Sequence, residues 1–138
     1  MKRLFAALGV LTSALVAYGA LNISTAPYAA GTNITADGVT GAYDSSEIGA
    51  AEVDWTVTIT SQAGTTPTLD GFIEDSDDNA TFVEVPGTDF TQVNANTTFP
   101  AIETITYRCT KRYSRIRYDV GGTTPSFGGN VRAVGRNG

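Results

Sequence analysis

Glu52-Val53-Asp54-Trp55-Thr56-Val57-Thr58-Ile59-Thr60 is the stretch whose reading decides the fold. Val53, Trp55, Val57 and Ile59 alternate with Asp54, Thr56, Thr58 and Thr60. A period of two puts the apolar set on one face of a strand and the polar set on the other. Trp55 belongs to the apolar set and so to the core.

Further strands are predicted downstream at short spacing: Thr68–Glu74, Thr81–Val85, Phe90–Val93, Ala101–Cys109, Tyr113–Val120 and Ser126–Val134. Thr is abundant, Gly totals 15, and no stretch after residue 30 carries a helical period. Many short strands with frequent turn signals imply an all-β chain, a single antiparallel β-sandwich of immunoglobulin-like or jelly-roll-like type. One string occurs twice: Gly64-Thr65-Thr66-Pro67-Thr68 and Gly122-Thr123-Thr124-Pro125-Ser126. Gly supplies an unusual backbone angle and Pro forbids helix, so the repeat predicts two equivalent hairpin connections.

Upstream, residues 22–50 are small, polar and rich in Gly and Ala, an extended connector with room for one edge strand. Before them, Met1-Lys2-Arg3 leads into an apolar run from Leu4 to Leu21. Three readings of this run stand side by side. It has the charged start of a signal peptide, with small-x-small sites at Ala17-Tyr18-Gly19 and Ser24-Thr25-Ala26, the second followed by Pro27. At the lower limit of about 20 residues, residues 4–21 could also engage a membrane. As a retained arm, helical or extended, the run would pack on a partner. The expected division is therefore an apolar N-terminal segment at 1–31 and a β-sandwich domain at 32–138.

The 138 residues carry a net charge of −5, and the charge is partitioned. Residues 4–107 hold 13 acids and no base, whereas 108–138 hold seven bases against Asp119 alone. There is no histidine and one cysteine, Cys109. These counts remove His-dependent triads, imidazole acid–base steps, His-ligated metals, internal disulfides and thiolate zinc sites. No catalytic constellation stands out, so the expectation is a non-enzyme with no cofactor and no small-molecule substrate. Cys109 reads as a small buried hydrophobe. Asn22, Asn33, Asn79 and Asn96 lie in N-x-[ST] sequons, which a Thr-rich chain produces by chance.

Two clusters are candidate sites. In Glu74-Asp75-Ser76-Asp77-Asp78-Asn79, the residues Asp75, Asp77 and Asn79 alternate like the first ligands of a calcium loop. Ala80 and Pro86 break that pattern where Gly and Glu are needed, and the favoured reading is a solvated hairpin turn. The second is the basic run. On a strand, Lys111, Tyr113, Arg115, Arg117 and Asp119 share one face, and Ser114, Ile116, Tyr118 and Val120 the other. Pairing with carboxylates of neighbouring strands ranks first. Docking on another copy or a partner through Lys111, Arg112, Tyr113, Arg115 and Arg117 follows closely. Nucleic acid ranks last, because the chain as a whole is acidic.

Five ordered strings carry a resemblance: Gly64-Thr65-Thr66-Pro67-Thr68-Leu69-Asp70, then Glu74-Asp75-Ser76-Asp77-Asp78-Asn79-Ala80-Thr81-Phe82, then Phe90-Thr91-Gln92-Val93, then Lys111-Arg112-Tyr113-Ser114-Arg115-Ile116-Arg117-Tyr118, then Gly121-Gly122-Thr123-Thr124-Pro125-Ser126-Phe127. Over half the chain, from about Val53 to Phe127, the sequence resembles small β-sandwich virion proteins of tailed bacteriophages. The apolar start and the Gly/Ala connector lie outside that resemblance. It implies a non-enzymatic role as capsid decoration, cement or minor capsid protein, with coat proteins and other copies of itself as partners. Assembly in a host cytoplasm agrees with the lack of any disulfide. The alternative is an exported or membrane-anchored surface β-sandwich, an adhesin or carbohydrate-binding module.

Overall fold

A computed structural model describes residues 33–47 and 49–137. The segment 1–31, with its signal, anchor and arm readings, lies outside the described residues. Among those described there is no α-helix, and no helix long and apolar enough to cross a membrane.

The strands are β1 (Gly38–Val39), β2 (Tyr43–Asp44), β3 (Glu52–Ser76), β4 (Val83–Asp89), β5 (Val93–Asn94), β6 (Ala101–Arg108) and β7 (Tyr113–Arg136), with a 3-10 turn at Ser45–Glu47. The connector thus holds two edge strands rather than one. These strands join in one antiparallel sheet. β3 and β7 run alongside each other for nearly their whole lengths, from Glu52↔Arg136 to Ser76↔Tyr113. One end of β3 also carries β6, and the other carries β4 and β5.

Two sequence expectations are corrected here. Val53–Ile59 and Thr68–Glu74 are not separate strands but parts of β3, and Tyr113–Val120 and Ser126–Val134 are parts of β7. The repeated strings are not hairpins. They face each other in the middle of the two long strands, where the pairing runs Ala63↔Ser126, Thr65↔Thr123 and Thr68↔Gly121 with register shifts between. Exchanging one string for the other leaves this set of pairs unchanged. The backbone angles match as well: φ is 110° at Gly64 and 102° at Gly122, and 48° at both Thr66 and Thr124. The repeat is therefore a local two-fold corner at which both strands bend together. Bulges absorb the bend and the ladder resumes on either side, which is why no strand ends here.

The corner folds the sheet so that its two ends face each other across the core. Val53, Trp55, Val131 and Ala133 from one end pack with Tyr43, Ile73, Phe90 and Ile116 from the other, and Tyr107 of β6 joins them. The Trp55 indole N–H donates to Ser114 Oγ at 3.1 Å, a buried bond from one end to the other. A second cluster, Ile34, Ile59, Leu69, Val93 and Phe127, fills the space under the corner.

A Cβ on Gly64 would lie 2.7 Å from the carbonyl oxygen of Thr124, and one on Gly122 2.6 Å from that of Thr66. Both contacts are with backbone that cannot move without opening the corner. Gly64→Ala and Gly122→Ala should each destabilise by about 2 kcal/mol or more, and by similar amounts because the sites are equivalent. Thr66→Asn should stabilise by about 1 kcal/mol, since a β-branched side chain tolerates positive φ poorly and Asn tolerates it well. Urea unfolding of the three variants checks all of this.

Candidate docking surface

The outer face of the β3–β7 ladder near Ser76 and Tyr113 carries the predicted basic strip. Ser114 and Ile116 are each 2% exposed and point into the core, so Tyr113, Arg115 and Arg117 point out, as the strand period requires. Register then decides their partners. Glu74 is opposite Arg115, and Phe72 is opposite Arg117. Arg115 Nη2 lies 2.8 Å from Glu74 Oε2, and its guanidinium sits 3.7 Å over the Phe82 ring. Arg117 reaches Glu74 at 3.8 Å and Asp119 at 3.3 Å, and lies over Phe72. The Glu74 side chain is only 7% exposed beneath these two guanidinium groups.

The remaining members of the strip are also paired within the chain. Arg112 donates to both carboxylate oxygens of Asp44 on β2, with Nη2 at 2.8 Å. These bonds hold the Asp44 carboxyl far below the usual carboxylate range, against a smaller opposing effect of burial. Lys111 Nζ is 3.0 Å from Asp75, which raises the lysine pKa. Asp75 is buried and also accepts from Tyr107 Oη at 3.0 Å and Thr110 Oγ1 at 3.3 Å. Burial first, then the Asp75 carboxylate, push the Tyr107 phenol up.

The same bonds answer the calcium-loop reading. Asp75, the first of its three oxygen donors, is turned inward and committed to Lys111, Tyr107 and Thr110. Asp78 organises the turn instead: its Oδ1 accepts from the backbone N–H of Thr81 at 2.8 Å and of Ala80 at 2.9 Å, and from Ser76 Oγ. Asn79, at φ 57°, serves the turn through its backbone. Among the described residues no group of three or more His, Cys, Asp or Glu side chains is placed to hold a metal ion.

Sequence reasoning missed two cations that the fold treats differently. Arg108 on β6 and Arg132 on β7 flank β3 at the other end of the sheet, in the rungs Arg108–Glu52–Arg136 and Thr104–Thr56–Arg132. Both are exposed, and among the described residues neither has a carboxylate within 4 Å. The carboxylates of their own face are taken: Glu52 and Asp54 bind Arg136 at 3.3 and 2.9 Å, and Thr106 also donates to Asp54. Exposed acids gather elsewhere, at Asp77, Asp78, Glu84 and Asp89 around and beyond the Ser76–Val83 turn. Strand parity could have separated Arg132 from the core, but register was needed to show who lacks a partner. Cys109 is half-buried, and burial raises its thiol pKa.

No family model matches the chain, and no curated protein matches it.

Arg115→Ala should cost about 3 kcal/mol in urea unfolding, because it leaves the covered Glu74 carboxylate with the longer contact to Arg117 alone. Replacing both partners with Leu should cost about 1 kcal/mol or less, since no charge is then left buried. A second prediction concerns pH. The N–H groups of Thr81 and Ala80 hold Asp78 at about 2 against an ordinary 3.8. Its stabilising bonds are therefore complete above about pH 4 and are lost as pH falls through about 2. A carboxyl NMR titration of Asp78 with a midpoint near 3.8 would show that the turn is not held this way.

Proposed function

We propose that the chain is a non-enzymatic structural subunit of a virion, a capsid decoration, cement or minor capsid protein, with the curled sheet working as a compact β-sandwich. The observation that carries the reading is the division of cations on its surface. Lys111, Arg112, Arg115, Arg117 and Arg136 are neutralised inside the chain, whereas Arg108 and Arg132 face outward without a carboxylate partner among the described residues. A face of three paired strands, with Thr56, Thr104 and Thr106 between these two arginines, suits docking on an acidic surface of a coat protein or of a second copy. The exposed acids near the Ser76–Val83 turn supply such a surface on each copy. The five strings quoted above support the choice of a phage particle, and the chain's acidity weighs against nucleic acid.

This proposal moves the docking contact from the Arg115–Arg117 strip, which the fold consumes, to Arg108 and Arg132. The double variant Arg108→Glu/Arg132→Glu should lower occupancy on purified particles at least tenfold at about 0.15 M salt, about 1.4 kcal/mol per subunit. Its melting temperature should stay within about 2 °C of the parent, since among the described residues neither arginine makes an ion pair. Equal occupancy of variant and parent would overturn the docking face. A native protein found free outside the cell, beginning near residues 20–31, would overturn the virion role and favour the exported alternative.

A further inference from the structure

The edges of the sheet are protected unequally. β1, β2 and β5 are two residues long, and β4 carries Glu84, Pro86 and Asp89, which discourage strand addition. The outer edge of β7 is tied by Ile34 at Phe127 and by Ala51 at Arg136, and Gly128, Gly129 and Gly135 interrupt it between them. β6 is different. It is eight residues long, pairs with β3 without a bulge, and has no other strand beside it among the described residues.

The sequence of β6, Ala101-Ile102-Glu103-Thr104-Ile105-Thr106-Tyr107-Arg108, is rich in strand formers and holds neither Gly nor Pro. Its one acid, Glu103, is turned toward its own chain, where Oε2 accepts from the Thr91 N–H at 2.7 Å. Ile102, Thr104, Thr106 and Arg108 form the outer face, all exposed, with Ile102 at 63%. A long free edge that carries an exposed isoleucine is a surface that proteins normally cover.

We infer that β6 pairs with β6 of a second copy, antiparallel, about a two-fold axis that passes between the two Ile105 residues. The strand is complementary to itself in this register. Thr104 lies opposite Thr106 of the second copy, and Ile102 lies opposite its Arg108, whose apolar stem covers the isoleucine while the guanidinium stays in water. Like charges are held apart: the two Arg108 positions are roughly 20 Å apart along the strands and the two Glu103 positions roughly 14 Å, beyond the screening length of about 8 Å. Neighbouring registers fit worse. Sliding by two residues one way sets Pro100, which has no N–H, against Arg108, and sliding the other way carries Ile102 past the end of the facing strand. A two-fold pair covers both β6 edges at once, and the edges that remain are the protected ones, so the assembly closes at two copies. Pairing uses the edge of the β7–β3–β6 face and leaves the Arg108 and Arg132 guanidinium groups outside, so two such faces come to lie side by side.

The test uses the purified full chain without particles, so its result is separate from that of the docking face. Sedimentation should show a dimer that dissociates on dilution from about 0.1 mM, with amide exchange across 101–108 slower in the dimer than in the dilute protein. Ile102→Lys sets a cation opposite Arg108 and Ile102→Glu an anion, so the dimer Kd of the Lys variant should exceed that of the Glu variant about tenfold or more. Both should melt within about 2 °C of the parent, because Ile102 is exposed. In a Cys109→Ser background, mixing Thr104→Cys with Thr106→Cys should give a mixed disulfide under mild oxidation in preference to either homodisulfide. A chain that stays monomeric at about 0.1 mM would overturn the inference, as would equal dimer Kd values for the two Ile102 variants. A Thr104→Cys homodisulfide exceeding the mixed product would also overturn it, by placing the axis elsewhere.

Discussion

The Gly-Thr-Thr-Pro corner is the constraint on which the rest of the structure depends. Two strands of 25 and 24 residues would form a long twisted ribbon if nothing bent them. Such a ribbon has no interior for Trp55, Ile73 or Ile116. Bending β3 and β7 at the same rungs brings the two ends of one ladder face to face, and the core is what lies between. The bend needs a glycine in each strand because the backbones cross closer than a Cβ permits, at 2.6–2.7 Å from a carbonyl oxygen. Both strands must bend at once, since a bend in one alone would break the ladder. Two copies of the same short string are the natural solution.

The corner also turns the charge partition into structure. β3 carries Glu52 and Asp54 near its start and Glu74 and Asp75 near its end. β7 runs antiparallel to it with Arg136 at its end and Arg115 and Arg117 near its start. Long antiparallel pairing puts each basic end beside an acidic one. The pairs over Glu74 and Asp75 are well covered, and such pairs add little net stability because desolvation offsets attraction. Their effect is on register: sliding β7 by one residue would send Arg115 and Arg117 into the core and leave Glu74 covered and unpaired.

The period-two pattern from Glu52 to Thr60 placed Val53, Trp55 and Ile59 inside correctly, and parity put Ser114 and Ile116 on one face, which burial shows to be the inner one. The ranking of internal pairing first for the basic strip rests on the same parity, and each of Lys111, Arg112, Arg115 and Arg117 has a carboxylate partner. The corner was visible as a repeat but read as hairpins, because Gly and Pro signal a change of direction without saying whether the chain reverses or two strands bend together. That distinction depends on which residues lie across the ladder, a long-range fact. The same gap hid Arg108 and Arg132, whose isolation is a property of rungs and not of neighbours in the chain. Asp75 stood as a candidate cation ligand beside the favoured turn because local spacing cannot reveal Lys111 and Tyr107 closing on it.

A single curled sheet explains where a partner surface can lie. Side chains that fix register cannot also be released to a partner without leaving a buried charge behind, so the best-paired cations are the least available ones. On the docking reading proposed above, contact draws on charges the ladder does not need. Those are Arg108 and Arg132, on the strands flanking one end of β3, and the acids of the Ser76–Val83 turn and β4 beside its other end. Because β3 spans both ends, the separation between the two sets is built into each copy. Contacts of one set with the other can join copies head to tail or pair two copies about a two-fold axis. Under the proposed virion role the head-to-tail kind is the relevant one, because it closes into rings or continues along a lattice, as a particle surface requires.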